Sequence, residues 1–105
     1  IIVEDSFIVA LHLRSALESE GYNIIDNFDT AEQLLHFLEI NNSIPDLVLM
    51  DVMLAGNLDG IDAAEVVKSK YGIPVIFITA LSDKKTINRA KVTEPYGYLT
   101  KPFED

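Results

Sequence analysis

Apolar runs alternate with helix-period stripes along the whole chain. Ile1 to Glu4 opens as a short continuous apolar strand. Ser6 then stands where a helix from about Phe7 to Glu20 needs its N-cap, with Val9, Leu13, Ala16 and Leu17 on one stripe and Gly21 at the stop. Asn23 to Asn27, around Ile24-Ile25, reads as a weak second strand. Thr30-Ala31-Glu32-Gln33 is a capping box opening a second helix to about Ile40, with Ala31, Leu34, Leu35 and Leu38 inward. Asn41 to Pro45 is a loop. Leu47-Val48-Leu49-Met50 is apolar on both faces, as a central parallel strand must be, and Asp51 ends it. Asp59-Gly60 opens a third helix to about Tyr71, with Ile61, Ala64, Val66 and Val67 apolar and Gly72 as the stop. Val75 to Ile78 is a second fully apolar strand ending at Thr79. Ser82 and Asp83 can cap a fourth helix to about Val92, and Gly97 to Thr100 is a fifth strand, ended by Lys101-Pro102.

Five strands and four helices in strict alternation specify βαβ units. The fold class is therefore α/β, a parallel sheet with right-handed crossovers and helices on both faces, in one domain spanning residues 1–105. Ile1-Ile2-Val3 reads as a strand already under way, and Lys101 to Asp105 as the approach to a further element. The chain is thus expected to be a segment of a longer protein, one helix short of a five-helix set.

Composition narrows the chemistry. The length of 105 residues suits one domain, and a hydrophobic fraction of 49% supports a packed core. The absence of cysteine excludes disulfides and thiolate metal sites and favours a reducing, cytoplasmic setting. No apolar run approaches ~18 residues, so no membrane span is expected, and no signal-peptide pattern is visible. A net charge of −9 argues against direct nucleic-acid binding by this chain.

In an open α/β sheet, ligands bind outside the carboxyl ends of the strands. Those ends carry Glu4 and Asp5, Asp51, Thr79 and Lys101. Three carboxylates at one edge call for a cation, and magnesium takes oxygen ligands together with phosphate oxygens. His12 and His36 fall on helices away from that edge, so a soft-metal site is not indicated. Lys101 and Thr79 can each hold a phosphoryl oxygen, and an aspartate can be the nucleophile that becomes an aspartyl phosphate. The set fits phosphoryl transfer onto a carboxylate.

Five fragments in order carry a family resemblance: Glu4-Asp5-Ser6, Pro45 to Asp51, Asp59-Gly60, Ile78-Thr79-Ala80, and Gly97 to Phe103. Over its whole length the chain resembles a response-regulator receiver domain of two-component signalling. The resemblance implies a flavodoxin-like sheet of order 2-1-3-4-5. It implies that Asp51 accepts a phosphoryl group from a histidine kinase or a histidine phosphotransfer protein. Mg²⁺ would be ligated by Asp5, Asp51 and the main-chain carbonyl of Met53, with help from Glu4. Lys101 and Thr79 would hold phosphoryl oxygens. Thr79 and Tyr98 would switch conformation and so control an output domain or partner. Lys101-Pro102 resembles a bond that is cis in the family. Such a domain is a signalling phosphoacceptor and catalyses only its own phosphorylation and dephosphorylation.

The chain departs from the usual family pattern in its Glu-Asp acid pair, in a loop after Asp51 that lacks Met-Pro and is one residue longer, and in the missing fifth helix. Other classes fit less well. A haloacid-dehalogenase phosphatase needs an Asp where Met53 stands, and a flavodoxin-like cofactor binder would want a Ser/Thr/Gly-rich phosphate loop where Glu4-Asp5-Ser6 stands. Lys84, Lys85, Arg89 and Lys91 give the fourth helix a basic side, read as a solvated face. Two further expectations follow. Met53 and Leu81 cannot orient an attacking water, which predicts a long-lived aspartyl phosphate. The missing fifth helix predicts a segment that is less stable than a longer version, or one that forms a homodimer through the face left open.

Overall fold

The computed structural model describes residues 1–41, 44–52, 59–80 and 97–101. Its strands are β1 (Ile2–Val3), β2 (Asn27–Phe28), β3 (Val48–Asp51), β4 (Val75–Ala80) and β5 (Gly97–Lys101). Its helices are α1 (Phe7–Ser19), α2 (Ala31–Ile40) and α3 (Gly60–Val66), the last continued by a π-helical turn, Val67–Tyr71. All four strand pairings are parallel and the order is β2-β1-β3-β4-β5, as the resemblance implies. The expected fourth helix lies outside the described residues, as does Pro102.

The two-residue period of an extended chain divides the strand side chains between two cores. Val3, Val48, Met50, Val75 and Phe77 point to one face, where Ala31, Leu34 and Leu38 of α2 and Ile61, Ala63 and Ala64 of α3 cover them. Ile2, Leu49 and Ile78 point to the other, where Leu13 of α1 is buried and Val9 and Leu17 pack beside it. β3 is buried at every position, which accounts for its unbroken apolar run. On its outer side α1 leaves Phe7, Ile8 and Leu11 exposed. No helix among the described residues is long and apolar enough to cross a membrane.

Local signals place the helices. Ser6 Oγ accepts from Val9 N–H, and Asp59 Oδ1 accepts from Asp62 N–H. Thr30 Oγ1 accepts from Gln33 N–H at 3.2 Å. In return Gln33 Oε1 accepts from Asp29 N–H at 2.9 Å, one residue earlier than a standard capping box would place it. Thr30→Ala should cost about 1 kcal/mol, read as a lower denaturant midpoint at unchanged slope. Gly21 and Gly72 end their helices with φ of 92° and 67°, where glycine is favoured.

Three expectations need correction. The second strand is Asn27–Phe28, not Asn23 to Asn27. Pairing with β1 sets it, because Asn27 lies beside Ile2 and Phe28 beside Val3, while Phe28 reaches the ring of Phe37 on α2 at 5.4 Å. Ile25 is left exposed. On α3 the inward residues are Ile61, Ala63, Ala64 and Val67, and Val66 sits on the outer edge. The last turn of that helix is π rather than α, and it closes on Gly72, whose N–H reaches Lys68 and Val67 carbonyls.

Candidate functional site

Because every strand is parallel, the carboxyl ends of all five lie along one edge of the sheet. Register then aligns the functional positions. Val3 pairs with Met50, so Glu4 follows abreast of Asp51, the last residue of β3. Asp51 pairs with Ile78, so Thr79 is the next residue on β4. Thr79 pairs with Thr100, and Ala80 with Lys101, the last residue of β5. Neighbouring strands are ~4.8 Å apart, so the backbone brings all these positions to one stretch of edge. The strand order reverses between β1 and β3, which is where open α/β sheets bind ligands.

Three carboxylates meet there. One oxygen from each of Glu4, Asp5 and Asp51 lies within 4.8 Å of the others. Glu4 is 1% exposed and Asp51 3%, whereas Asp5 is exposed at the mouth. The site is therefore a buried acidic floor with a solvent-facing rim. At an effective dielectric of ~20, two like charges ~4 Å apart repel by about 4 kcal/mol, which a divalent cation among them would reverse. An all-oxygen donor set of this kind suits a hard cation such as Mg²⁺ and offers nothing to a thiophilic one.

The other expected site residues divide by what the structure describes. Thr79, Tyr98 and Lys101 are placed by their strands at and near the same edge. Met53 lies outside the described residues, as does Leu81. His12 and His36 are exposed on α1 and α2, as the sequence pattern indicates, and neither belongs to the group of ligand atoms that Glu4, Asp5 and Asp51 form. One participant is not evident from residue types alone. Gly60 N–H donates to the Val52 carbonyl at 3.2 Å, tying the start of α3 to the end of β3 directly behind Asp51. The Asp59-Gly60 dipeptide signals a turn into a helix, but not this approach.

With the geometry in place, comparison with known proteins is decisive. The family model described as response regulator receiver domain matches residues 1–105. The chain is a response-regulator receiver domain. It is 35% identical to the transcriptional regulatory protein PdtaR of Mycobacterium tuberculosis, over 98% of this chain and 49% of that protein. It is 37% identical to the heme response regulator HssR of Staphylococcus epidermidis, over 99% of this chain and 45% of that protein. The receiver domain thus spans about half the length of the curated relatives it matches. Among solved structures it resembles the signal receiver domain of a modulated diguanylate cyclase from Desulfovibrio desulfuricans G20. That match has a TM-score of 0.88 and 41% identity, over 98% of this chain and 80% of that one. The family assigns the domain to two-component signalling, in which receivers act as phosphoacceptors partnered with kinases.

Proposed function

We propose that Asp51 is the phosphoacceptor of this receiver domain and that Glu4, Asp5 and Asp51 form its Mg²⁺ pocket. The carrying observation is the convergence of three carboxylates within 4.8 Å at the carboxyl end of the central strand, with Asp51 buried. A carboxylate oxygen of Asp51 attacks the phosphorus of a phosphohistidine. The P–N bond breaks, the imidazole nitrogen keeps the electron pair, and an acyl phosphate forms on Asp51. Asp5, Asp51 and the Met53 carbonyl would ligate Mg²⁺, with Glu4 behind them. When bound, the ion neutralises charge on the phosphoryl oxygens. Lys101 takes one phosphoryl oxygen and Thr79 donates a hydrogen bond to another. Thr79 on β4 pairs with Thr100, and Tyr98 lies two residues before Thr100 on β5; Thr79 and Tyr98 then carry the change along that edge.

The donor on this reading is a cytoplasmic histidine kinase or histidine phosphotransfer protein, and the receiver itself does no other catalysis. Any nucleic-acid-binding output would belong to chain beyond this domain, since the domain carries a net charge of −9.

Acetyl phosphate tests the reading. With Mg²⁺ present, intact-mass spectrometry should show the gain of one phosphoryl group, and a chelator should prevent it. Equal labelling in chelator, or none with Mg²⁺, would overturn the pocket. The lifetime is a second test. Met53 and Leu81 offer no group to orient water, so the label should persist far beyond seconds after the donor is removed. Loss within seconds would show that water is activated by some other group.

A further inference from the structure

Asp59-Gly60 is the one motif that the phosphoryl chemistry leaves without a role, and Gly60 occupies an unusual place. A Cβ on Gly60 would fall on the carbonyl oxygen of Asp51; it would also stand 2.8 Å from the Asp51 carbonyl carbon and 3.1 Å from Met50 Cγ. The first two obstacles are backbone of the central strand, which cannot rotate aside as a side chain can. Gly21 and Gly72 make the contrast. They have positive φ and open space around the missing Cβ, whereas Gly60 is not among the positive-φ glycines and has no room at all. Glycine at 60 is demanded by contact with Asp51 and not by a turn.

Neither side of this contact is free to retreat. Gly60 N–H is bonded to the Val52 carbonyl, and Val52 N–H to the Ile78 carbonyl at 3.0 Å, so the junction is laced to β4. Behind Gly60, Ile61, Ala63 and Ala64 are buried in the core, which fixes α3 from the other direction. A side chain at 60 must therefore displace the Asp51 peptide or lever the helix out of its packing.

We propose that Gly60 is a positioning residue for the phosphoacceptor: its missing side chain lets the start of α3 seat the Asp51 peptide, and so sets the distance from the Asp51 carboxylate to those of Glu4 and Asp5. This rests on the reading of those three residues as a Mg²⁺ pocket. Magnesium demands near-ideal octahedral geometry with short bonds, so a shift of a fraction of an ångström in one ligand matters far more to binding than to packing.

The test compares Gly60→Ala with Ala63→Gly. Ala63 is fully buried on the same helix, and its loss weakens α3 by about 1 kcal/mol without adding an atom near Asp51. Mg²⁺ affinity is read by calorimetric titration, and stability by thermal unfolding in chelator. Ala63→Gly should lower the melting temperature yet keep the Mg²⁺ Kd within about twofold of wild type, whereas Gly60→Ala should weaken it at least about tenfold, the scale typical of losing a group that orients a metal ligand. If Gly60→Ala does not fold in buffer, the three proteins are titrated in trimethylamine N-oxide, which favours the compact state. A Gly60→Ala protein that binds Mg²⁺ as wild type does, or no worse than Ala63→Gly, overturns the proposal while leaving the pocket intact. A wild type that takes up no Mg²⁺ removes the pocket and this proposal with it.

Discussion

Asp51→Asn should abolish labelling by acetyl phosphate and leave the domain folded. The substitution keeps the shape of the side chain and replaces the nucleophilic carboxylate by an amide, which does not attack phosphorus. The effect should be total, because no other carboxylate among the described residues ends the buried central strand as Asp51 does. Glu4 is equally buried but is read as lying behind the metal, and Asp5 is at the exposed rim. Transfer of the label to either would contradict the assignment and would appear as a phosphopeptide at the chain start. The same variant makes a second prediction of opposite sign. It removes one of three negative charges that converge within 4.8 Å, so its melting temperature in chelator should equal or exceed that of wild type. Saturating Mg²⁺ should then reverse the order. Wild type gains stability by mass action, about 2.7 kcal/mol at a hundredfold excess over Kd, and the variant, lacking one ligand, gains less. A variant that is destabilised in chelator and still gains fully from Mg²⁺ would place the cation elsewhere.

Phe77→Ala should destabilise the domain by about 3–5 kcal/mol, a large share of the ~5–15 kcal/mol that holds a domain of this size together. Among the described residues Phe77 heads the fully buried side chains by volume, and its position on β4 lies between Met50 of β3 and Tyr98 of β5. Truncation leaves a cavity that the strands on both sides cannot close, because each is fixed by its own ladder. Phe7→Ala removes the same atoms from a ring that is 76% exposed, and should change stability by less than about 0.5 kcal/mol. Urea unfolding of the two variants checks both values. A Phe77→Ala cost under about 1 kcal/mol would mean that the α2–α3 face is not packed as described.

The contrast between these phenylalanines shows how far the sequence reaches. Phe77 sits in an unbroken apolar run that only a doubly covered strand explains, and its burial is legible at once. Phe7 follows an N-cap and begins an amphipathic helix, so its place is legible but its exposure is not. The second strand shows the same limit. Ile24-Ile25 carries the stronger β-propensity, yet Asn27–Phe28 forms the strand, because pairing with Ile2 and Val3 and the ring contact of Phe28 with Phe37 outweigh propensity in a two-residue edge strand. Likewise Val66 looks as apolar as Val67, and only packing of α3 on the sheet turns one inward.

What the sequence by itself determined is the alternation of elements, the helix caps, and the acids, hydroxyl and lysine that follow apolar runs. Those features are local: period, capping chemistry and residue type can be read along the chain. The tertiary structure alone decided that Glu4, Asp5 and Asp51 approach within 4.8 Å, that Asp5 is the exposed member, and that Gly60 leaves no space beside the Asp51 carbonyl. Each of these depends on the register between strands and on how deeply α3 seats against β3. Positions far apart in the chain set both, and one residue of slip would move Asp51 to the opposite face of the sheet.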